Sequence, residues 1–268
     1  MKIRKKEVGL IIYCIALFFP IYWLINCSFK SNAEIFQELT LFPRDLILDN
    51  YKAIITSHLW MDPYFNSLIY VCLNVVITLM ASIPGAYAFS RWNFLGKNHL
   101  FFWLLTNRMA PAAVFMLPFT ELYFAIKLFD THWGVALAHC LFNIPIAVWI
   151  LEGFMSAIPR EIDETAFIDG YSFPRFFYKI FLPLMSSGIG VAAFFVFTFS
   201  WIEVVIVKTL TSTDAAPISM KIFLGLQSSE GVSWGILAAI TIFTIIPGAV
   251  FVYFIRNYIA KGFSLGRV

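Results

Sequence analysis

The sequence is poor in charge. Lys, Arg, Asp and Glu make up only 13% of its 268 residues, against roughly a quarter in soluble domains, which excludes an ordinary water-soluble fold. The charge that remains nearly cancels, at +3 net with a pI near 8.6, and the basic residues are scattered, so the footprint of a nucleic-acid binder is missing. Histidine is scarce as well. His58, His99, His132 and His139 show no HExxH spacing, and no motif sets a serine or cysteine beside a base, which leaves an intramembrane hydrolase without its machinery. No GxxxxGK[ST] loop occurs: Gly96-Lys97 lacks both the upstream glycine and the following Ser or Thr, so the chain has no means of cradling and hydrolysing ATP. Cys14, Cys27, Cys72 and Cys140 lie in apolar runs without a CxxC pair. They read as small buried residues rather than disulfide partners or ligands, and neither a metal nor a bound cofactor is expected.

What is abundant is apolar surface, with 60% hydrophobic residues and 30 phenylalanines. Length and apolarity mark six spans, at about 8–27, 65–89, 100–126, 134–156, 183–207 and 234–256. Lipid cannot satisfy backbone polar groups, so runs of this kind predict an all-α polytopic membrane protein, a single domain over 1–268. The first run follows Lys2, Arg4, Lys5 and Lys6 but is too long for a signal peptide and has no A-x-A site; it reads as a retained span. Prolines at 84, 111, 118, 145 and 247 interrupt the spans, which must then pack in a bundle where neighbours satisfy the freed carbonyls. Lys and Arg fix the orientation. With the N-terminus inside, twelve, Arg91 and Arg267 among them, fall on the cytoplasmic side and six, including Lys30, in loops on the other, so both termini and the 157–182 loop are predicted to be cytoplasmic.

Three ionisable residues sit inside predicted spans. Arg108, in Asn107-Arg108-Met109-Ala110-Pro111, is costly in lipid and should face the bundle interior, water or a carboxylate; it is either structural or gating, or in contact with substrate. Glu121 is 13 residues further on, about 20 Å along a helix and too far for a direct pair. Glu203 follows Trp201, and a stacking ring beside a carboxylate suits sugars and polyols, whose C–H faces are apolar and whose hydroxyls need partners. The alternative is a buried structural pair. Together these three charges also allow an ion-coupled secondary transporter of a small polar solute.

The chain has one long polar island, 159–183. Pro159 can occupy a first helical turn, Glu161, Asp163 and Glu164 follow near the positive end of the dipole, and Gly170 supplies an end signal after roughly three turns. Ile162 and Ala166 share a face with Gly170 at its end, a small-residue surface that another protein can approach. A second helix is expected from Ser172, as its cap, to Pro183.

Glu164-Thr165-Ala166, three residues, Gly170, nine residues and Ile180-Phe181-Leu182-Pro183 resembles the EAA loop of the membrane subunits of bacterial ABC importers. Thr165 replaces the usual middle Ala, and Tyr171 stands where Ala is common. Asn66-Ser67 is similar to a pair at the head of the second span in that family, Trp201-Ile202-Glu203 resembles the Trp-Asn-Glu of its carbohydrate branch, and Tyr258 to Gly266 resembles that branch's ending. The resemblance implies a six-span permease with a cytoplasmic coupling helix, in which Glu161, Glu164, Thr165, Ala166, Asp169, Gly170 and Pro183 meet the ATPase and Asn66, Arg108, Trp201 and Glu203 line the substrate path. It implies a bacterial inner-membrane location, a second homologous permease, two ATPase subunits that bind ATP and Mg, and a periplasmic or extracellular binding protein. The cargo it implies is a sugar or polyol, with glycerol a candidate, moved by alternating access.

Overall fold

The structure, a computed structural model, describes residues 5–37, 39–227 and 233–265. Lys2, Arg4, Arg267 and Gly266, used above for orientation and for the ending, lie outside them. The described residues are helical, with no strand among them. Among the described residues, four helices are long and apolar enough to cross a membrane, Gly9–Ser28, His58–Arg91, His132–Ser156 and Trp234–Arg256, and two bent helix pairs bring the number to six if each pair is one span. The chain divides into two compact units, Met1–Phe65 with Met220–Pro247 and Asn66–Ser219 with Gly248–Val268.

The first unit contains α1 (Lys5–Ser28), α2 (Asn32–Gln37), α3 (Asp49–Thr56), the start of α4 (His58–Arg91), much of α13 (Ile218–Gln227) and the first part of α14 (Trp234–Leu265). Along α1, Leu10, Ile12, Tyr13 and Phe18 are exposed on all sides of the helix, an apolar surface dressed for lipid or another helix. Past its end the chain turns over a polar knot: Asn26 Nδ2 and Lys30 Nζ donate to the Thr40 carbonyl at 3.1 and 2.6 Å, and Asn50 Nδ2 donates to the carbonyls of Ser28 and Lys30 at 2.9 Å. Lys30, counted above as an outer loop charge, is in fact 1% exposed, because its ammonium is needed to satisfy this turn.

The second unit is built around α7 (His132–Ser156), two-thirds of whose most apolar stretch is buried. Thr131 caps it by accepting from the Gly134 N–H at 3.0 Å. Against α7 pack α5 (Lys97–Met109) and α11 (Ser186–Ile202). At Gly188 the approach is so close that a Cβ would lie 2.8 Å from Phe154.

Neither the 100–126 nor the 183–207 run is a straight span. The first is α5, a short 3-10 turn at Ala112–Phe115 and α6 (Met116–Ala125), with a 92° bend. Ala110, before Pro111, is extended at φ −65° and ψ 132°, as the proline ring requires of its neighbour. The second begins upstream of Pro183: α9 (Phe173–Phe176), a wide π turn over Phe177–Phe181 and α10 (Leu182–Leu184) meet α11 at a 73° bend. It ends early too, because Glu203 is extended, and a separate helix, α12 (Val205–Leu210), follows. Between α7 and α9 lies α8 (Glu161–Ile168), about two turns rather than three.

Candidate functional site

A cavity of about 210 Å³ opens within the second unit, lined by Arg108, Ala110, Ala112, His139, Phe142, Asn143, Phe199, Glu203 and Ile206. Breaks in the helices create it. Because α5 stops at the Pro111 bend, the Arg108 guanidinium lies over the Phe199 ring, 4.4 Å from its centroid. Because α11 stops at Glu203, this carboxylate accepts from the Ile206 N–H at 3.0 and 3.1 Å and from the Val207 N–H at 3.1 Å, satisfying the open first turn of α12. From α7, which continues unbroken, come His139 and Asn143, four residues apart on one face.

His139 is 2% exposed. Its Nδ1 lies 2.6 Å from Ser200 Oγ, and its Nε2, 3.6 Å from Glu203 Oε2, makes no hydrogen bond. Asn143 Nδ2 donates to Asn74 Oδ1 at 2.7 Å, and Asn74 Nδ2 donates to the Ala136 carbonyl at 2.8 Å. Arg108, Asn143 and Glu203 supply the cavity's polar edges, between the apolar rings of Phe142 and Phe199, and His139 lies buried in its wall. Such a lining suits a hydroxyl-rich solute. Serine, histidine and glutamate also compose nucleophilic triads, but Ser200 is 1% exposed and is not among the lining residues, so no substrate bond can reach its oxygen. Among the described residues no group of three His, Cys, Asp or Glu side chains could hold a metal ion.

Arg108 and Glu203 thus meet in one cavity, while the other two expected path residues stand elsewhere. Trp201 stacks on Phe197 at 5.8 Å and is not part of the lining. Asn66 Nδ2 donates to the carbonyls of Asp214 and Ala216 at 2.9 and 3.2 Å, and its oxygen meets His132 Nε2 at 2.8 Å, so it fastens the 211–217 loop. Sequence reasoning missed His139, Asn143, Ser200 and Asn74. The signal was available in the i,i+4 pair of His139 and Asn143 within an apolar span, where polar side chains face the bundle interior.

The polar island folds as an elbow. Gly170 has φ +80°, the left-handed conformation that closes α8 and that an L side chain resists. Ser172 stands at the next helix start without a side-chain cap bond. Ala166 is buried, not a free approach surface, and forms the floor of an open groove lined by Glu161, Ile162, Thr165, Asp169 and Ile180. Glu164, Gly170 and Pro183 are exposed. On the inner face of α8 Asp163 is buried and takes Arg91 in two parallel bonds, Nε to Oδ2 at 2.9 Å and an η nitrogen to Oδ1 at 3.1 Å.

Apolar helices around a polar cavity, with a folded elbow set between two of them, are the build of a membrane permease. The chain belongs to the family described as binding-protein-dependent transport system inner membrane component, which it matches over residues 60–265. It is 31% identical to the trehalose transport system permease protein SugB of Mycobacterium tuberculosis, over 93% of this chain and 91% of that protein. It is 28% identical to the diacetylchitobiose uptake system permease protein DasC of Streptomyces coelicolor, over 98% of this chain and 95% of that one. Its fold is that of a chain in the crystal structure of a bacterial ABC transporter involved in the import of alginate, with a TM-score of 0.78, 21% identity and coverage of 95% and 94% of the two chains. The protein is therefore a multi-pass membrane permease subunit of the ABC type, and the ion-coupled alternative is set aside.

Proposed function

We propose that this subunit forms half of the pathway by which a carbohydrate crosses the bacterial inner membrane inward, driven by ATP that two separate subunits hydrolyse with Mg. A second, homologous permease completes the path, both termini face the cytoplasm, and a binding protein delivers cargo from the outside. The observation that carries this reading is the cavity lined by Arg108, His139, Asn143 and Glu203, polar edges between aromatic rings inside an apolar bundle. The names of the relatives favour an oligosaccharide over glycerol, which stays a test arm. The groove over Ala166, edged by Glu161, Thr165 and Asp169, is the dock for an ATPase, and the 211–217 loop faces the binding protein. The structural basis of transport is then alternating access, with the elbow as lever.

The deciding experiment has two stages. Thermal shift of the partner binding protein against disaccharides, monosaccharides and glycerol identifies the cargo. Uptake of that compound, radiolabelled, is then measured in proteoliposomes holding both permeases and both ATPases. ATP-dependent uptake that falls at least tenfold in Glu203→Ala or Arg108→Ala supports the reading. Uptake driven by an ion gradient without ATP, or unchanged in both variants, overturns it.

A further inference from the structure

The pair of Arg91 and Asp163, 72 residues apart in sequence, is a densely bonded polar contact of the second unit outside the cavity. Both side chains are buried, 9% and 7% exposed. Besides its two bonds to Asp163, the Arg91 guanidinium donates at 3.1 Å to the carbonyls of Met155, in the last turn of α7, and Ile158, two residues past its end. It also lies over Phe181, 5.2 Å from the ring centroid. Asp163 Oδ2 accepts a further bond from the Tyr87 hydroxyl at 3.1 Å, and Tyr87 is itself ringed edge-on by Phe173, Phe177 and Phe181 in and beside the π turn.

A buried ion pair is a poor way to stabilise a fold, because apolar residues of the same volume serve as well or better. What a forked, two-bond pair does supply is fixed geometry. Here it fixes α8, which hangs between the 157–160 linker and the Gly170 turn, to the last turn of α4. The opposite face of α8 carries the groove edged by Glu161, Thr165 and Asp169. A push on that groove is therefore delivered to the end of a 34-residue helix.

We propose that Arg91 and Asp163, with Tyr87, are the positioning residues that pass ATP-driven movement from α8 to α4. The inference rests on the importer reading, and its test separates the two. The complete transporter is trapped with Mg, ATP and vanadate, and amide hydrogen exchange is followed at 161–168 and at 87–96. In the wild type both segments respond. In Asp163→Asn and in Arg91→Gln the response at 161–168 persists, while that at 87–96 falls at least fivefold, and cargo carried per ATP hydrolysed falls at least tenfold. That ratio does not depend on how much complex folds. The double variant is no worse than either single one, because it strands no charge and the two residues act as a unit.

A full response at 87–96 in the single variants, or losses that multiply in the double, overturns the proposal. If neither single variant assembles, Tyr87→Phe decides, because it deletes one bond and strands no charge: a ratio lowered at least twofold supports the link, and an unchanged ratio overturns it. A wild type without any response at 161–168 sinks the importer reading instead.

Discussion

Asp130 offers the sharpest test of how the 212–215 loop is held. It sits at φ +55°, just before α7, and its carboxylate accepts from the N–H groups of Ser212, Thr213, Asp214 and Ala215 at 3.0 to 3.1 Å and from the Ser212 and Thr213 hydroxyls at 2.6 and 3.3 Å. Burial alone pushes this carboxyl up, but the Ser212 hydroxyl and the N–H groups of Thr213, Ala215 and Ser212 outweigh it and hold the group below the usual carboxylate range. A carboxylate depressed in the folded state contributes stability above its ordinary value, and that stability is lost as pH falls toward the depressed one. Loop protection should thus be flat above about pH 5 and decline below roughly pH 4. Asp130→Asn keeps one acceptor oxygen but sets an NH₂ against the other donors. Hydrogen bonds to a charge are worth about 1.5–3 kcal/mol each where buried; this site is partly exposed, so we expect a net loss of about 1–3 kcal/mol. Amide exchange at 212–215 in the detergent-solubilised protein should then accelerate roughly 5- to 150-fold at neutral pH, and the variant should lack the acid dependence. Equal protection of wild type and variant, or a wild type without pH dependence after correction for intrinsic exchange, would refute the reasoning.

Three further outcomes follow from the geometry. Replacing Gly170 by Val forces a β-branched residue to φ +80° at a cost of about 1–3 kcal/mol, so co-purification with the ATPases should drop while the spans still insert; unaltered recovery counts against the elbow. Gly188→Leu drives a side chain into Phe154, 2.8 Å from the new Cβ, and should destabilise by about 1–3 kcal/mol, read as a lower Tm in detergent; an unchanged Tm would mean that α11 can back away from α7. In Glu203→Gln the cap on α12 partly survives, so transport should fall less than in Glu203→Ala, and equal losses would point to the charge alone.

Much of the frame was legible because lipid imposes it: the apolar runs, the helix-only architecture and the polar island all follow from length and composition. The two bends were not. Pro111 announced a disturbance and Pro183 only the end of the polar island, but whether a freed carbonyl is met by a kink or by a turn of 92° depends on which neighbour is there to meet it. The charges taught the same lesson more strictly. Arg91 and Lys30 were counted as loop residues and Asp163 as a dipole charge, whereas all three are buried, Arg91 and Asp163 tied to each other across 72 residues and Lys30 to the Thr40 carbonyl of its own turn. Within the cavity, Arg108 and Glu203 stood out as charges in apolar runs, while His139 and Asn143, an i,i+4 pair without a formal charge, were passed over.

The short helix α12 is a strut with both ends made fast. At one end the Glu203 carboxylate holds the Ile206 and Val207 N–H groups; at the other the Leu210 carbonyl accepts from the Asp130 N–H at 2.9 Å, next to the loop that the Asp130 side chain gathers. Six residues of helix separate these anchors, about 9 Å of rise. A solute hydroxyl that takes a Glu203 oxygen for itself loosens the near anchor. Any such loosening would pass along the helix to its far anchor at Asp130.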